Sequence, residues 1–316
     1  MINKDYLHTR IYSDINDFCP KSNSIYIYGY STENRSKSVD DLKSKHSDVN
    51  FVEIQADDDE KDTILDKGAN KKYYLRNSNS IISFFESYNS STVYIDTSGL
   101  NHRISASLLK NAVSISENKK FAIKVVYAEP YTYKIQKFKS EGVFNDLSEE
   151  IDGIEPLPGF ASIIPDTVDM KFIALLGFEG GRFTYLIENI QPPVDNITPV
   201  IGVPGFRIEY PFVALWGNRQ PLEETKSWDK IKYVAANSLV DVFLLLTKII
   251  RKSPPDTKLI LAPIGTKPHA IGAILFAIKY PKQVEIVYDN PKRKTIRTEG
   301  TGRIVECDIN SLLTEN

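Results

Sequence analysis

The chain has little of what usually announces a reaction. Its 316 residues include only two cysteines and four histidines. Cys19 and Cys307 stand far apart, without the spacing of a metal site or of a disulfide framework, so free thiols in a reducing, cytoplasmic setting are expected. Metal-dependent hydrolysis through several histidines is disfavoured, and neither a metal nor a cofactor is expected. There is no Gly-x-Ser-x-Gly elbow, no His-Glu-x-x-His, and no cysteine nucleophile beside a histidine. No run of 18 apolar residues occurs, so no membrane span is expected. Met1 to Arg10 lacks the apolar core of a secretory signal. Charge of one sign is also missing: 39 Lys and Arg face 41 Asp and Glu. Nucleic acid is therefore not expected as the main ligand. No tandem repeat of solenoid length is visible.

What the chain does have is a rhythm. It is 41% hydrophobic, 25% charged and 11% aromatic, an ordinary balance for a folded protein. Its apolar runs are short, rich in Val, Ile, Tyr and Phe, and do not alternate with polar residues. Parallel strands covered by helices on both faces read this way. Strands are expected at Ser24–Tyr28, Val49–Gln55, Thr92–Ile95 and Phe121–Tyr127. A second set is expected at Phe172–Leu176, Thr198–Val203, Ile231–Ala235, Leu259–Ala262 and Val284–Tyr288. Helices are expected at Val39–Lys45, Ile81–Tyr88, His102–Ile115, Phe183–Ile190, Leu239–Arg251 and His269–Lys279. The strongly apolar Leu239–Arg251 is expected to lie deep against a sheet. The pattern predicts an α/β protein of two units with mostly parallel sheets flanked by helices: residues 1–130, a Gly- and Pro-rich connector over 131–169, and residues 170–316. Gly302–Ile309 reads as one more strand, at an edge. The acidic run Asp57-Asp58-Asp59-Glu60 reads as a solvated loop or a divalent-metal loop.

In open parallel sheets, ligands bind beyond the carboxyl ends of the strands, where strand order reverses. The residues just after each strand are therefore informative. Gly29–Ser36 offers a carboxylate, a guanidinium and hydroxyls; the plainer account is a helix start with a local Glu33–Arg35 pair. After the third strand, Asp96 could orient a ribose hydroxyl or a metal, and Thr97, Ser98 and the Gly99 amide could receive a phosphate. A Ser or Asn helix cap is the alternative. Gly177-Phe178-Glu179-Gly180-Gly181-Arg182 could let an anion approach helix amides beside a permanent charge, or could be a tight turn. Arg207, after the Pro204-Gly205 turn, could face the same crevice. In Gly265-Thr266-Lys267-Pro268-His269, Thr266 can cap, Pro268 suits the first helical turn, and Lys267 stands at the positive helix end. His269 could donate a hydrogen bond or shuttle a proton, although a lone histidine is usually structural. The basic cluster Lys292–Arg297 is a solvated loop, a partner surface or a polyanion contact.

Ile264-Gly265-Thr266-Lys267-Pro268 resembles the Gly-Thr-Lys motif of CRISPR-associated Rossmann-like sensor domains. Ile95-Asp96-Thr97-Ser98-Gly99 is similar to a second loop of the same group. The likeness rests on short loops and extends to accessory proteins of bacterial defence loci. It implies Rossmann-like units, usually dimeric, and a ligand that is often a cyclic oligonucleotide. By that analogy, Thr266 and Lys267 would hold phosphate or base edges, and Asp96, Thr97 and Ser98 would line the crevice.

The reading that follows is binding or sensing of a phosphate-bearing, nucleotide-like ligand, with signalling through a protein partner or a second copy. Gly177–Arg182 and Gly265–His269 would form the anion site. Gly29–Ser36 and Asp96–Arg103 would form a related crevice, or the facing wall of a shared one. A nucleotide-directed hydrolase or transferase is the second reading, with Glu179 or Asp96 as base, Lys267 and Arg182 stabilising charge, and His269 as acid. A structural subunit is the third, using Tyr210–Trp216 and Trp228 as an interface, unless that stretch is a loop packed on the core.

Overall fold

The computed structural model describes residues 5–134, 147–161, 169–295 and 297–314. The chain divides into two compact units, Met1–Tyr133 with Thr295–Asn316, and Lys134–Lys294. The first begins with helix α1 (Asp5–His8), strand β1 (Thr9–Tyr12), β2 (Ile25–Tyr28), α2 (Val39–Lys45) and β3 (Asn50–Ala56). A hairpin of β4 (Thr63–Asp66) and β5 (Lys71–Tyr74) follows, then α3 (Ser78–Glu86), β6 (Thr92–Asp96), α4 (His102–Lys119) and β7 (Ala122–Tyr133). The second unit runs β8 (Ser148–Ile151), β9 (Glu155–Pro156), β10 (Met170–Leu175), α5 (Gly180–Ile190), β11 (Ile197–Gly202), α6 (Tyr210–Gly217) and α7 (Arg219–Glu224). It continues with β12 (Lys232–Val234), α8 (Leu239–Arg251), β13 (Lys258–Pro263), α9 (Lys267–Lys279), β14 (Val284–Tyr288) and β15 (Pro291–Arg293). The chain then returns to the first unit as β16 (Thr298–Asp308) and α10 (Ile309–Thr314). No helix among the described residues is long and apolar enough to cross a membrane.

The first unit's sheet has the order β1-β16-β7-β6-β2-β3-β4-β5. Strands β7, β6, β2 and β3 are parallel, and their runs are buried on both faces at β2 and β6. From β2 the chain passes α2 to β3 on one side, then comes back to β6 on the other. Strand order therefore reverses between β2 and β6. The β4–β5 hairpin, on which the apolar pattern is silent, pairs antiparallel beyond β3. Its turn is held by Asp66, whose Oδ1 accepts from the amides of Gly68 and Ala69, each at 3.0 Å. Exposed Lys71 and Lys72 on the outer strand discourage pairing with another chain. The expected edge strand over 302–309 is longer and lies inside the sheet. β16 pairs antiparallel with β7 on one side and β1 on the other, burying Ile304, Val305 and Cys307. The tail thus belongs with the first unit, because its partners lie far away in sequence. Of the expected connector, β7 takes residues to Tyr133, and β8 and β9 belong to the second unit.

The second unit's sheet has the order β12-β11-β10-β13-β14-β9, all parallel except β9. Here the reversal lies between β10 and β13. Local signals set the helix ends. Ser238 Oγ accepts from the Asp241 amide at 2.9 Å to start α8. Thr266 caps α9 and Pro268 sits in its first turn, as its sequence suggests. Between these two, α9 is the deeper: every residue from Pro268 to Ala277 is buried, whereas α8 leaves Lys248 and Arg251 exposed. The aromatic stretch from Tyr210 is helix α6, not a loop.

Candidate functional site

In the second unit the loops after β10 and β13 meet. A Cβ on Gly265 would lie 2.5 Å from the Leu176 carbonyl oxygen, so the loops after β13 and β10 touch. Arg182, 3% exposed at its side chain, points into the reversal point from α5. Its Nε donates to Asp289 Oδ2 at 2.7 Å, its Nη2 to Asp289 Oδ1 at 2.6 Å, and its Nη1 to the Ile264 carbonyl at 2.8 Å. One guanidinium thus joins the carboxyl ends of β13 and β14. Burial opposes its charge, but the hydrogen bonds and charge of Asp289 outweigh that and hold its proton more firmly than usual. Glu179 lies 3.6 Å from the same guanidinium, and its Oε1 accepts from the Leu147 amide at 2.9 Å.

Gly180 and Gly181 line an outer cleft of about 600 Å³ together with Glu179 and Arg182. Its wall also carries Glu149, Glu150 and Glu188. An anion entering there meets carboxylates, while the one arginine is already committed to Asp289. This reverses the electrostatics expected of the Gly177–Arg182 loop. Gly177 itself packs against Ile264 and Gly265.

The start of α9 is covered in a comparable way. Thr266 Oγ1 donates to the Ala236 carbonyl at 2.7 Å. His269 is fully buried, and its Nε2 donates to the Ala235 carbonyl at 3.0 Å. Carbonyls from the loop after β12 thus lie against the residues expected to hold phosphate. Lys267 is half-buried in the first turn of α9, and Arg207 is exposed, 2.9 Å from Glu209. Burial lowers the His269 pKa to about 4. The ring is therefore neutral at pH 7 and cannot serve there as an acid. Its Nδ1 has no hydrogen-bond partner among the described residues.

This burial has a consequence for stability. Unfolded His269 regains a pKa near ~6.5 and binds a proton that the folded ring refuses. Stability is therefore fully present above about pH 6.5 and falls as pH drops towards 4, by roughly 3 kcal/mol in all. Urea denaturation at a series of pH values is expected to show this slope in the second unit's transition. His269→Gln should flatten it; an unchanged slope would rule out His269 as its source.

In the first unit, the residues expected to line the crevice are also used internally. Asp96 Oδ2 accepts from Tyr26 at 2.9 Å, and its Oδ1 accepts from the Ser98 amide at 2.8 Å. Burial, with the nearby Asp96 charge, raises the Tyr26 pKa well above its usual value. Thr97 Oγ1 donates to the Val126 carbonyl at 3.1 Å, and Ser98 Oγ accepts from the Ala128 amide at 2.8 Å. Asp96, Thr97 and Ser98 are all at most 4% exposed. They tie the end of β6 to β7 instead of facing solvent. The local Glu33–Arg35 pair is present at 2.5 Å, and Asn101 caps α4 by accepting from the Ile104 amide at 2.9 Å.

Beside them a cleft of about 480 Å³ remains open. It is lined by Gly29 and Tyr30 after β2, by Glu53 to Ala56 on β3, by Asp58, and by Gly99 to Asn101 and Ile104 around the start of α4. It lies at the reversal between β2 and β6. A Cβ on Gly99 would fall 1.6 Å from the Gly29 carbonyl oxygen, so only glycine lets the two loops meet at its floor. Half-buried Glu53 accepts from the Tyr28 hydroxyl at 3.3 Å. Lys43 donates to the Tyr30 hydroxyl at 3.0 Å, which anchors the aromatic wall. Sequence reasoning found Gly29, Tyr30, Gly99 and Asn101 by their loops and singled out Asp58 only as part of the acidic run, but missed Glu53 and Gln55. The available signal was an acidic residue about 20 residues past a glycine turn in the first strand-helix-strand unit.

The acidic run contributes Asp58 to this cleft, while its Asp57 is engaged by the chain itself. Asp57 Oδ1 accepts from the amides of Asp59 and Glu60 at 3.0 and 3.1 Å, and its other oxygen lies 2.5 Å from Lys72. Among the described residues, no group of three acidic, His or Cys side chains could hold a metal.

No protein-family model matches the chain, and no curated protein matches it. Two solved structures of a GDP-L-fucose synthetase from Naegleria fowleri are similar at 10% and 9% identity, the first bound to NADP. Each match covers 90% of this chain and 86% or 87% of the other, with a TM-score of 0.23. A match at this level transfers no residue role and no ligand.

Proposed function

We propose that the protein binds a nucleotide-class ligand in the first unit, in the cleft where β2, β3 and β6 end. The observation that carries this reading is an open cleft at the point where strand order reverses. Its size falls within the ~300–1,000 Å³ range of small-molecule sites. Glu53 suits a ribose diol, because a carboxylate accepts two hydroxyl hydrogen bonds at once. The positive end of the 18-residue α4 is the part of the lining that suits a phosphate, its Ile104 amide being already taken by Asn101. The carboxylates of the lining are Glu53 and Asp58, which suit the hydroxyl and amino donors of a nucleoside. The part of the resemblance that bears on this cleft is the Ile95–Gly99 loop, whose Gly99 lines it; on that loop rest a cyclic oligonucleotide as one form of the ligand and a sensor of a defence system, acting through a partner, as the finer role.

The test is calorimetric titration of the full chain with a panel of mononucleotides, dinucleotides and cyclic oligonucleotides. At least one is expected to bind, and Glu53→Gln should weaken it by roughly ten- to a hundredfold, the worth of a charge-assisted hydrogen bond. Lys267→Ala should leave the affinity unchanged, since Lys267 is in the other unit. No binding across the panel, or full binding by Glu53→Gln, would reject the proposal.

A further inference from the structure

The charge around the first unit's cleft is one-sided. Its described lining residues include no lysine, arginine or histidine, and its carboxylates are Glu53 and Asp58. Cations on the neighbouring elements are already engaged. Arg103, in the first turn of α4, gives its Nε to Asp62 Oδ1 and its Nη2 to Asp62 Oδ2, both at 2.6 Å. Lys43 donates to the Tyr30 hydroxyl and lies 4.2 Å from the centre of the Tyr28 ring and 3.5 Å from Asp40. Lys72 lies 2.5 Å from Asp57. Asp58 differs from all of these: it is exposed at the cleft's edge, and among the described residues no hydrogen bond or ion pair engages its side chain. Asp59 and Glu60, which follow it, are exposed too. The run is nevertheless fixed in place. Asp57 Oδ1 accepts from the amides of Asp59 and Glu60, the Asp57 amide donates to the Thr63 carbonyl at 2.9 Å, and the Thr63 amide donates to the Glu60 carbonyl at 3.2 Å. The Arg103–Asp62 pair fastens the end of the same loop to α4.

We propose that the acidic run is a charge filter at the edge of this cleft, which admits nucleotides bringing a single phosphate charge and turns away nucleoside diphosphates and triphosphates. The inference rests on the nucleotide reading above and narrows it. The positive end of α4 is worth about half an elementary charge, which offsets one phosphodiester charge but not three or four. A carboxylate held unpaired beside the ligand repels every further charge, and Glu53 adds a second one within the cleft. A site for a polyphosphate needs lysine or arginine on its oxygens, and here the nearby ones face Asp62, Asp57 and the two tyrosines. Discrimination between ligands commonly uses such a repulsive element in place of one more attraction. A cyclic mononucleotide satisfies both the helix end and the acidic edge, as does a larger cyclic ligand that seats one diester there.

Calorimetric titration of the full chain with the adenosine and guanosine series, each as cyclic monophosphate, monophosphate and triphosphate without magnesium, tests this. In at least one series the cyclic monophosphate is expected to bind at least about tenfold more tightly than the triphosphate, with the monophosphate between them. Added sodium chloride should narrow that gap, because screening weakens repulsion; at a cationic phosphate site it would weaken the triphosphate instead. Asp58→Lys, at an exposed position, should tighten the triphosphate by at least about tenfold. Glu117→Lys makes the same change in net charge at an exposed position roughly 20 Å further along α4, beyond the reach of unscreened attraction, and should leave the preference unchanged. A triphosphate that binds as tightly as the cyclic monophosphate overturns the filter and leaves the nucleotide reading standing. So does a gap that salt widens, or an Asp58→Lys chain no better for the triphosphate than Glu117→Lys. Failure of both series to bind overturns the filter, and with silence across the wider panel the nucleotide reading falls as well.

Discussion

Asp289→Ala is expected to destabilise the second unit by about 3–5 kcal/mol, read as a drop in the urea midpoint of its transition. The Asp289 side chain is 0% exposed and accepts two hydrogen bonds from Arg182. Removing it leaves a guanidinium that is 3% exposed, with the Ile264 carbonyl and, at 3.6 Å, Glu179. An uncompensated buried charge costs far more than the net worth of the pair. Arg182→Ala should cost a similar amount by stranding the carboxylate. Arg182→Met with Asp289→Leu should recover much of the loss, because a buried pair often breaks even against apolar side chains of similar volume. If Asp289→Ala costs under about 1 kcal/mol, as an exposed pair would, the guanidinium is solvated and within reach of a ligand after all.

Glu33→Ala should have a comparable effect on the first unit. Glu33 is 5% exposed and receives two arginines: Arg35 Nε at 2.5 Å and Arg297 Nε at 2.6 Å. Arg35 is buried at 1% and also donates to the Tyr127 hydroxyl at 2.7 Å and to the Ala128 carbonyl at 3.1 Å. The cluster fastens the loop after β2 to β7 and to the returning C-terminal segment. Its loss is expected to cost about 3–5 kcal/mol, since the Arg35 guanidinium then lacks its carboxylate in a dry site. The Arg303–Glu129 pair is a built-in comparison: its arginine side chain is 48% exposed, and Arg303→Ala should cost no more than about 1 kcal/mol. Equal losses for Glu33→Ala and Arg303→Ala would refute the distinction drawn from burial.

Most elements could be read from the chain, often to within a residue or two. Val39–Lys45, Leu239–Arg251 and Val284–Tyr288 have the same bounds in the structure as in the pattern. Periodicity and capping are local, so a window of a few residues contains them. The β4–β5 hairpin escaped because each strand has only four residues, Ile64-Leu65 in β4 and Tyr73-Tyr74 in β5 being too short a run for a period to show. The tail was placed as an edge because pairing with β7 and β1 is a long-range matter.

The sites divide along the same line. By itself the sequence determined an α/β chain whose glycines and polar residues gather where strands end, because backbone turns and helix starts demand such residues at once. It could not determine what those polar groups would meet. A guanidinium such as that of Arg182 fits a phosphate or a carboxylate equally well, and the carboxylate it found lies 107 positions along the chain. Only packing decided that Arg182 and Thr266 would be committed to the chain's own groups, leaving an acidic cleft of about 600 Å³ there and a cleft of about 480 Å³ in the first unit, since this depends on which distant side chain reaches a polar group before solvent or a ligand does.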